Sequence, residues 1–178
     1  MSNGSVIPVT VQGSYEYLPV VAMIGDQYYS PQNLPPDQPV NGVWYLIVDL
    51  TNLSNIVVNE FTTDTTNVPS NVQQYAGNPQ YMLIFATVQL TTGSVPTGGV
   101  VSLLQNSGAG VQLARMEQMV EQLGSGSFVY VSYVLAGQMG TSTGFEEYSF
   151  LDFTILTFQL LPVTVDGKTT YTPIQFGQ

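Results

Sequence analysis

Val111–Ala136 reads VQLARMEQMVEQLGSGSFVYVSYVLA, and its reading decides the architecture. Leu113, Met116, Val120 and Leu123 recur at helical spacing on one face, with Met119 beside them. Gln112, Arg115, Gln118 and Gln122 fill the opposite side. Gly124 stands where a helix C-terminus favours a residue free to turn left-handed. Phe128–Ala136 is then almost wholly apolar or aromatic, the pattern of a strand covered on both faces. One amphipathic helix packed on a sheet follows, and the rest of the chain supplies strands. The expected class is β-rich α+β: two packed antiparallel or mixed sheets, one main helix over about 111–123 and one or two short helices.

Composition narrows the function. The 178 residues are 44% hydrophobic, enough for a core, but only 8% are charged where about 25% is usual. Twelve acidic residues face two basic ones, Arg115 and Lys168, giving a net charge of −10. Nucleic-acid binding requires several neutralised phosphates, and adhesion to anionic membrane requires a basic patch; two cations supply neither. The surface is therefore covered by Thr, Ser, Asn, Gln, Gly and Tyr, as on secreted proteins, adhesins and virus particles. The start, MSNGSVIPVTVQG, has neither the basic nor the apolar region of a signal peptide. No run of about 18 apolar residues offers a membrane span. An outside-type surface without a secretion signal points to synthesis in the cytoplasm and use on a virion.

Outward from the central stretch, Gly42–Leu50 (GVWYLIVDL) is the strongest strand, with Asn55–Phe61 returning after a turn. Asn71–Ala76 suits a short helix with Ser70 as N-cap and Gly77 at its end. Tyr81–Leu90 is another apolar strand, Thr91–Gly99 an exposed mobile loop, and Val100–Gln105 a short strand or a helical turn. Phe145–Tyr148 and Phe150–Leu161 follow; Val163–Val165 and Thr169–Ile174 flank Asp166-Gly167, a pair that favours a type I′ hairpin turn. Before Gly42, Val6–Val11 and Leu18–Ile24 are strand-like, with Pro8 and Pro19 arguing for edge positions or strand starts. Ser30–Pro39 is proline-rich and extended. Residues 1–40 read as an arm, or as a first pair of strands of the domain at 41–178.

The order VWYLIVDL with Asp49, Phe61-Thr62-Thr63-Asp64, Leu83–Thr87, Leu123-Gly124-Ser125, Val134–Gly137 and Phe145-Glu146 resembles the interleukin-like epithelial–mesenchymal-transition inducer domain, the pancreatic-derived-factor fold. The similar core spans 42–147, with C-terminal strands over 148–176. The disulfide cysteines of secreted members are absent, and Thr91–Gly110 is an insertion. The resemblance implies facing sheets with helices at the side, and a non-enzymatic role in recognition or sugar binding. Similar domains occur in some bacteriophage tail and fibre proteins.

Candidate chemistry is sparse. Without His or Cys there is no Ser-His-Asp, Cys-His or thiolate-metal arrangement. Glu146-Glu147 reads as a solvated loop pair whose side chains point to opposite faces, and Glu117 with Glu121 as a solvated helix face. A calcium site would require Asp49, Asp64 and Asp152 to converge, without a D-x-D-x-D-G loop to arrange them. GQMGTSTG (Gly137–Gly144) lacks the lysine of a phosphate loop and reads as a flexible hairpin tip. No catalytic residue, cofactor or metal is expected. The candidate contacts are Tyr28, Tyr29, Trp44, Tyr45, Tyr130 and Tyr133, which suit a protein interface or a glycan; in its apolar strand Trp44 reads first as core. The expected function is a structural component of a bacteriophage virion, in tail, baseplate or fibre, contacting other virion proteins and copies of itself. The residues 1–40 and the hairpin at 163–176 are the parts expected to reach a neighbour. A carbohydrate-recognising module that contacts host glycan is the competing reading.

Overall fold

The computed structural model describes residues 4–32, 34, 40–124 and 128–175. The elements run β1 (Ile7–Gln12), β2 (Val21–Ile24), β3 (Gln27–Tyr29), β4 (Gly42–Asp49), β5 (Ile56–Thr62), α1 (Ser70–Gln73), β6 (Tyr81–Val88) and β7 (Leu90–Thr91). After a 3-10 turn at Thr92–Ser94 come α2 (Gly98–Gln105), α3 (Val111–Leu123), β8 (Tyr130–Gln138), β9 (Gly144–Ser149), β10 (Ile155–Val165) and β11 (Lys168–Ile174). The result is β-rich α+β, with two antiparallel sheets and three helices among the described residues.

The layers follow from residue parity. In β4, Trp44, Leu46 and Val48 face an inter-sheet core, while Val43, Tyr45 and Ile47 face a second core under the helices. β6 and β8 divide the same way, which is why these three strands are apolar at successive positions. They form the middle of a sheet ordered β5-β4-β6-β8, with β9 on the free side of β8 and β7 pairing the start of β8. The second sheet, β11-β10-β1-β2-β3, covers only one of its faces and accordingly alternates: β10 reads exposed, buried, exposed, buried from Ile155. Val72, Val100, Leu103, Leu104, Leu113 and Met116 close the helix side.

Residues 7–29 are not a detached arm. β1 lies between β10 and β2, with Ile7, Val9 and Val11 buried in the inter-sheet core. This is nearer the other reading, a first pair of strands, with the short β3 as a third. Pro8 is tolerated because it sits near the end of the ladder, opposite Gln159. Most of the proline-rich stretch, Asn33 and residues 35–39, lies outside the described residues.

Three other expectations are corrected, and the open choice at Val100–Gln105 falls to its helical alternative. Thr91–Gly99 is pinned rather than loose: Thr92 and Pro96 are buried, and the Thr97 amide donates to the Thr65 carbonyl at 2.9 Å. Val100–Gln105 resolves as helix, the body of α2. Gly124 has φ 77° with ψ 153°, a positive-φ exit but not the left-handed helical cap. The strand expected at Phe150 starts only at Ile155, and Pro162 does not interrupt it, because it lies opposite Tyr171 where β10 needs no donor toward β11. Asp166 and Gly167 both have positive φ, 50° and 74°, the two-residue hairpin turn that the Asp-Gly pair favours.

Candidate functional site

The six candidate aromatics separate by depth. Trp44, Tyr45 and Tyr133 are fully buried, so none of them meets a partner or a sugar. The Trp44 indole Nε1 donates to Asn59 Oδ1 at 2.8 Å, and Asn59 Nδ2 donates to the Ser30 carbonyl at 3.1 Å. Tyr45 packs edge-on to Phe85 at 5.3 Å, and Phe85 lies 6.2 Å from Tyr133, giving an aromatic ladder under the helices. Tyr29 and Tyr130 are half-buried, Tyr29 against the inter-sheet core and Tyr130 edge-on to Tyr15 at 5.9 Å. Tyr28 alone of the six is largely exposed. The candidates do not form one site, because strand parity sends neighbours such as Trp44 and Tyr45 into different cores.

The two buried phenols differ. Tyr133 donates to Glu146 Oε2 at 2.8 Å, whereas the Tyr45 hydroxyl has no hydrogen-bond partner among the described residues. Burial pushes both phenols far above the ordinary tyrosine range, helped by the charge of Glu146 at Tyr133 and of Asp64 at Tyr45.

Glu146 is not a solvated loop residue. It sits on β9 opposite Leu135, and its carboxylate caps α3 from outside the helix. Oε1 accepts from the Gly110 and Gln112 amides at 2.8 Å each, and Oε2 from Leu113 at 3.1 Å as well as from Tyr133. Helix starts leave orphan donors and a partial positive charge, and this carboxylate answers both. The sequence held one indirect sign: α3 begins with Gly110 at its N-cap and has no acidic residue in its first turn, so its donors need a partner from elsewhere.

The aspartates are likewise spent on turns. Asp49 Oδ1 accepts from the Thr51 amide at 2.8 Å and its hydroxyl at 2.7 Å, with Gln80 and Asn55 on the same carboxylate. Burial pushes this carboxyl up, but those hydrogen bonds together outweigh it and hold it below the usual range. Asp64 accepts from the Asn67 amide and side chain and the Thr66 amide, which hold it below the usual range too. Asp152 bonds the Phe153 amide. Among the described residues no three metal-ligating side chains gather.

Gly137–Gly144 is a stitched hairpin rather than a loose tip. Gly140 donates to the Asn106 carbonyl at 2.9 Å, Met139 to the Tyr81 carbonyl at 3.0 Å, and Gln138 Nε2 to the Pro79 carbonyl at 2.6 Å. Beside it lies a cleft of about 580 Å³ lined by Ala76, Gly77, Gln105, Asn106, Gly140, Thr141 and Ser142, without a charged group.

The outer face of the five-stranded sheet is a further exposed feature. Register places Thr10, Met23, Tyr28 and Thr157 in one row, Gln12, Val21 and Ile155 in the next, and Pro8, Gln159 and Ile174 beyond. Met23 is 46% exposed, Tyr28 62% and Ile155 51%. Leu161, Val163 and Val165 continue the face along the β10–β11 hairpin and are also exposed. No strand of this sheet carries a carboxylate, and its single ionised side chain is Lys168 at the hairpin tip. Comparison with known protein families and with curated proteins finds no match to this chain.

Proposed function

We propose that this chain works by assembly, as a structural component of a bacteriophage virion in its tail, baseplate or fibre apparatus. The observation that carries the reading is the outer face of the five-stranded sheet, whose strands hold no carboxylate and where exposed aliphatic groups lie among threonines and glutamines. A protein that covers such a face has few ions to desolvate. The carboxylates that sequence patterns offer for chemistry, Glu146, Asp49 and Asp64, are engaged in capping, which suits a scaffold better than an enzyme. The sparse charge of the whole chain and its resemblance to domains of phage tail and fibre proteins support a place on the particle, exposed outside, with other virion proteins and copies of itself as partners. Deleting the gene from a phage genome that carries it tests this: particles that lack a tail part, or fail to assemble, are expected. Normal particles with normal infectivity would overturn it.

A carbohydrate-binding module is the second reading, favoured by the uncharged cleft beside Gly140. Its Gln105, Asn106, Thr141 and Ser142 side chains are of the kind that meet sugar hydroxyls. Glycan-array binding that is lost in Asn106→Ala would support it; an array with no signal would remove it.

A further inference from the structure

We infer that the ligand of the cleft beside Gly140 is a chain of linked neutral sugars that runs on into a second cleft at the tip of the β10–β11 hairpin; the inference deepens the carbohydrate reading and rests on it. The second cleft, of about 450 Å³, has walls that include Thr51, Gln80, Lys168, Thr169, Thr170 and Tyr171. Both clefts are of the size that takes a small ligand. They meet at one short segment, since Gly77 lines the first and Gln80 the second. Three residues separate these positions, which therefore lie at most about 11 Å apart. The Tyr81 amide donates to the Asn78 carbonyl at 3.1 Å, so the chain turns there and the span is shorter still.

The walls are built in advance. The Leu50 amide donates to the Gln80 carbonyl at 2.9 Å and the Tyr171 amide to the Leu50 carbonyl at 2.8 Å, which ties the hairpin to the Gln80 turn. On the other side the Gln138 side chain holds the Pro79 carbonyl, and a Cβ on Gly140 would overlap the Gly77 carbonyl oxygen, so closely do the two glycines pack. A ligand therefore has little of the protein left to order. The polar side chains of the clefts are not consumed by this stitching. Gln105, Asn106, Ser142 and Thr170 make no side-chain hydrogen bond among the described residues. Gln80 gives its amide hydrogens to Asp49, at 3.2 Å from each carboxylate oxygen, and keeps its own oxygen as an acceptor. Amides and hydroxyls both donate and accept, as every sugar hydroxyl does, whereas a hydrocarbon would leave them without a partner. Charge selects the neutral class. The first cleft has no ionised side chain, and Lys168, the cation of the second, shares its hairpin tip with Asp166. The net charge of −10 repels a polyanionic glycan as a whole.

Titration calorimetry of the full chain tests this, with neutral glucose, mannose and N-acetylglucosamine oligomers from disaccharide to hexasaccharide, and with an oligogalacturonate series as the acidic probe. At least one neutral series should bind, with an affinity that rises about 10-fold or more from the disaccharide to the hexasaccharide as the second cleft is reached. Asn106→Ala, in the first cleft, should weaken every length. Thr170→Val keeps the shape but loses the hydroxyl of the second cleft; it should lower hexasaccharide affinity about 10-fold and leave the disaccharide unchanged. Thermal melts like those of the wild type show that both variants fold. Affinity that does not grow with length, a Thr170→Val variant that binds the hexasaccharide like wild type, or a preference for oligogalacturonate overturns the inference. Disaccharide binding that is lost in Asn106→Ala would then leave the single-cleft reading standing, whereas silence from every series removes both.

Discussion

Replacing Glu146 by glutamine should unfasten α3 from the central sheet. Four donors converge on the carboxylate: the amides of Gly110, Gln112 and Leu113 and the hydroxyl of Tyr133, at 2.8–3.1 Å. Glutamine keeps the shape but has one acceptor oxygen, so its NH₂ group confronts donors where an acceptor stood. Hydrogen bonds to a charged group contribute about 1.5–3 kcal/mol each and are not additive, and a negative charge at a helix N-terminus adds about 0.3–1 kcal/mol. With two of the four bonds retained, the loss should be about 3 kcal/mol. For a chain of this size that is a fall in Tm of roughly 6–12 °C. Trp44, the sole tryptophan and fully buried, reports urea unfolding directly. Glu121→Gln, exposed on α3, is the control and should stay within about 0.5 kcal/mol of wild type. In a double-mutant cycle Glu146→Gln and Tyr133→Phe should couple by about 1 kcal/mol or more. If Glu146→Gln behaves like Glu121→Gln, the carboxylate is not the cap of α3 and the reasoning fails.

Other predictions follow from the same geometry. Tyr45→Phe removes a buried hydroxyl without a partner and should stabilise by about 1 kcal/mol, whereas Tyr133→Phe loses a bond to a carboxylate and should cost about 1.5–3 kcal/mol; equal effects would contradict the two environments. Asp49 has a depressed folded pKa, so its contribution is complete above the unfolded value near 3.8 and fades as pH falls through the folded one. Asp49→Asn should therefore destabilise at pH 7, and the gap from wild type should close in acid; a gap constant with pH would refute this. A Cβ at Gly137 would overlap the Ser107 carbonyl oxygen, which is backbone and cannot swing away, so Gly137→Ala should cost about 2 kcal/mol or more. At Gly110 the nearest atom to a new Cβ is Glu146 Oε1 at 4.0 Å, so Gly110→Ala meets no overlap and should cost only the ~1 kcal/mol or less by which alanine is the poorer N-cap, clearly less than Gly137→Ala in the same thermal melts.

What the sequence discloses and what it hides follow from the range of the interactions. Continuous apolar runs marked β4, β6 and β8 as strands, and Phe128–Ala136 as one covered on both faces; the structure buries all three on both, because a strand between two layers has no polar side to show. Asp166-Gly167 marked its turn because the signal is local. The start of α3 was harder: its cap arrives from Glu146, far along the chain, and the non-acidic first turn after Gly110 signals only that a partner is needed, not which residue supplies it. Aromatic residue type alone could not separate the exposed Tyr28 from the buried Tyr45, since pairing decides which face each strand residue meets. The end of α3 shows the converse error. Periodicity assigns Met119 and Leu123 to the core face, but they are 38% and 41% exposed, so the apolar stripe outruns the sheet beneath it. The outer face of the second sheet was unreadable until register set Thr10, Met23, Tyr28 and Thr157 side by side from four strands.

Quantitative mass spectrometry of purified phage particles, made from a genome that encodes this chain, tests the assembly account most directly. The account predicts peptides of the chain at a fixed, multiple copy number per particle, unchanged by further purification. Particles free of the chain, with all of it left in the cleared lysate, would contradict it.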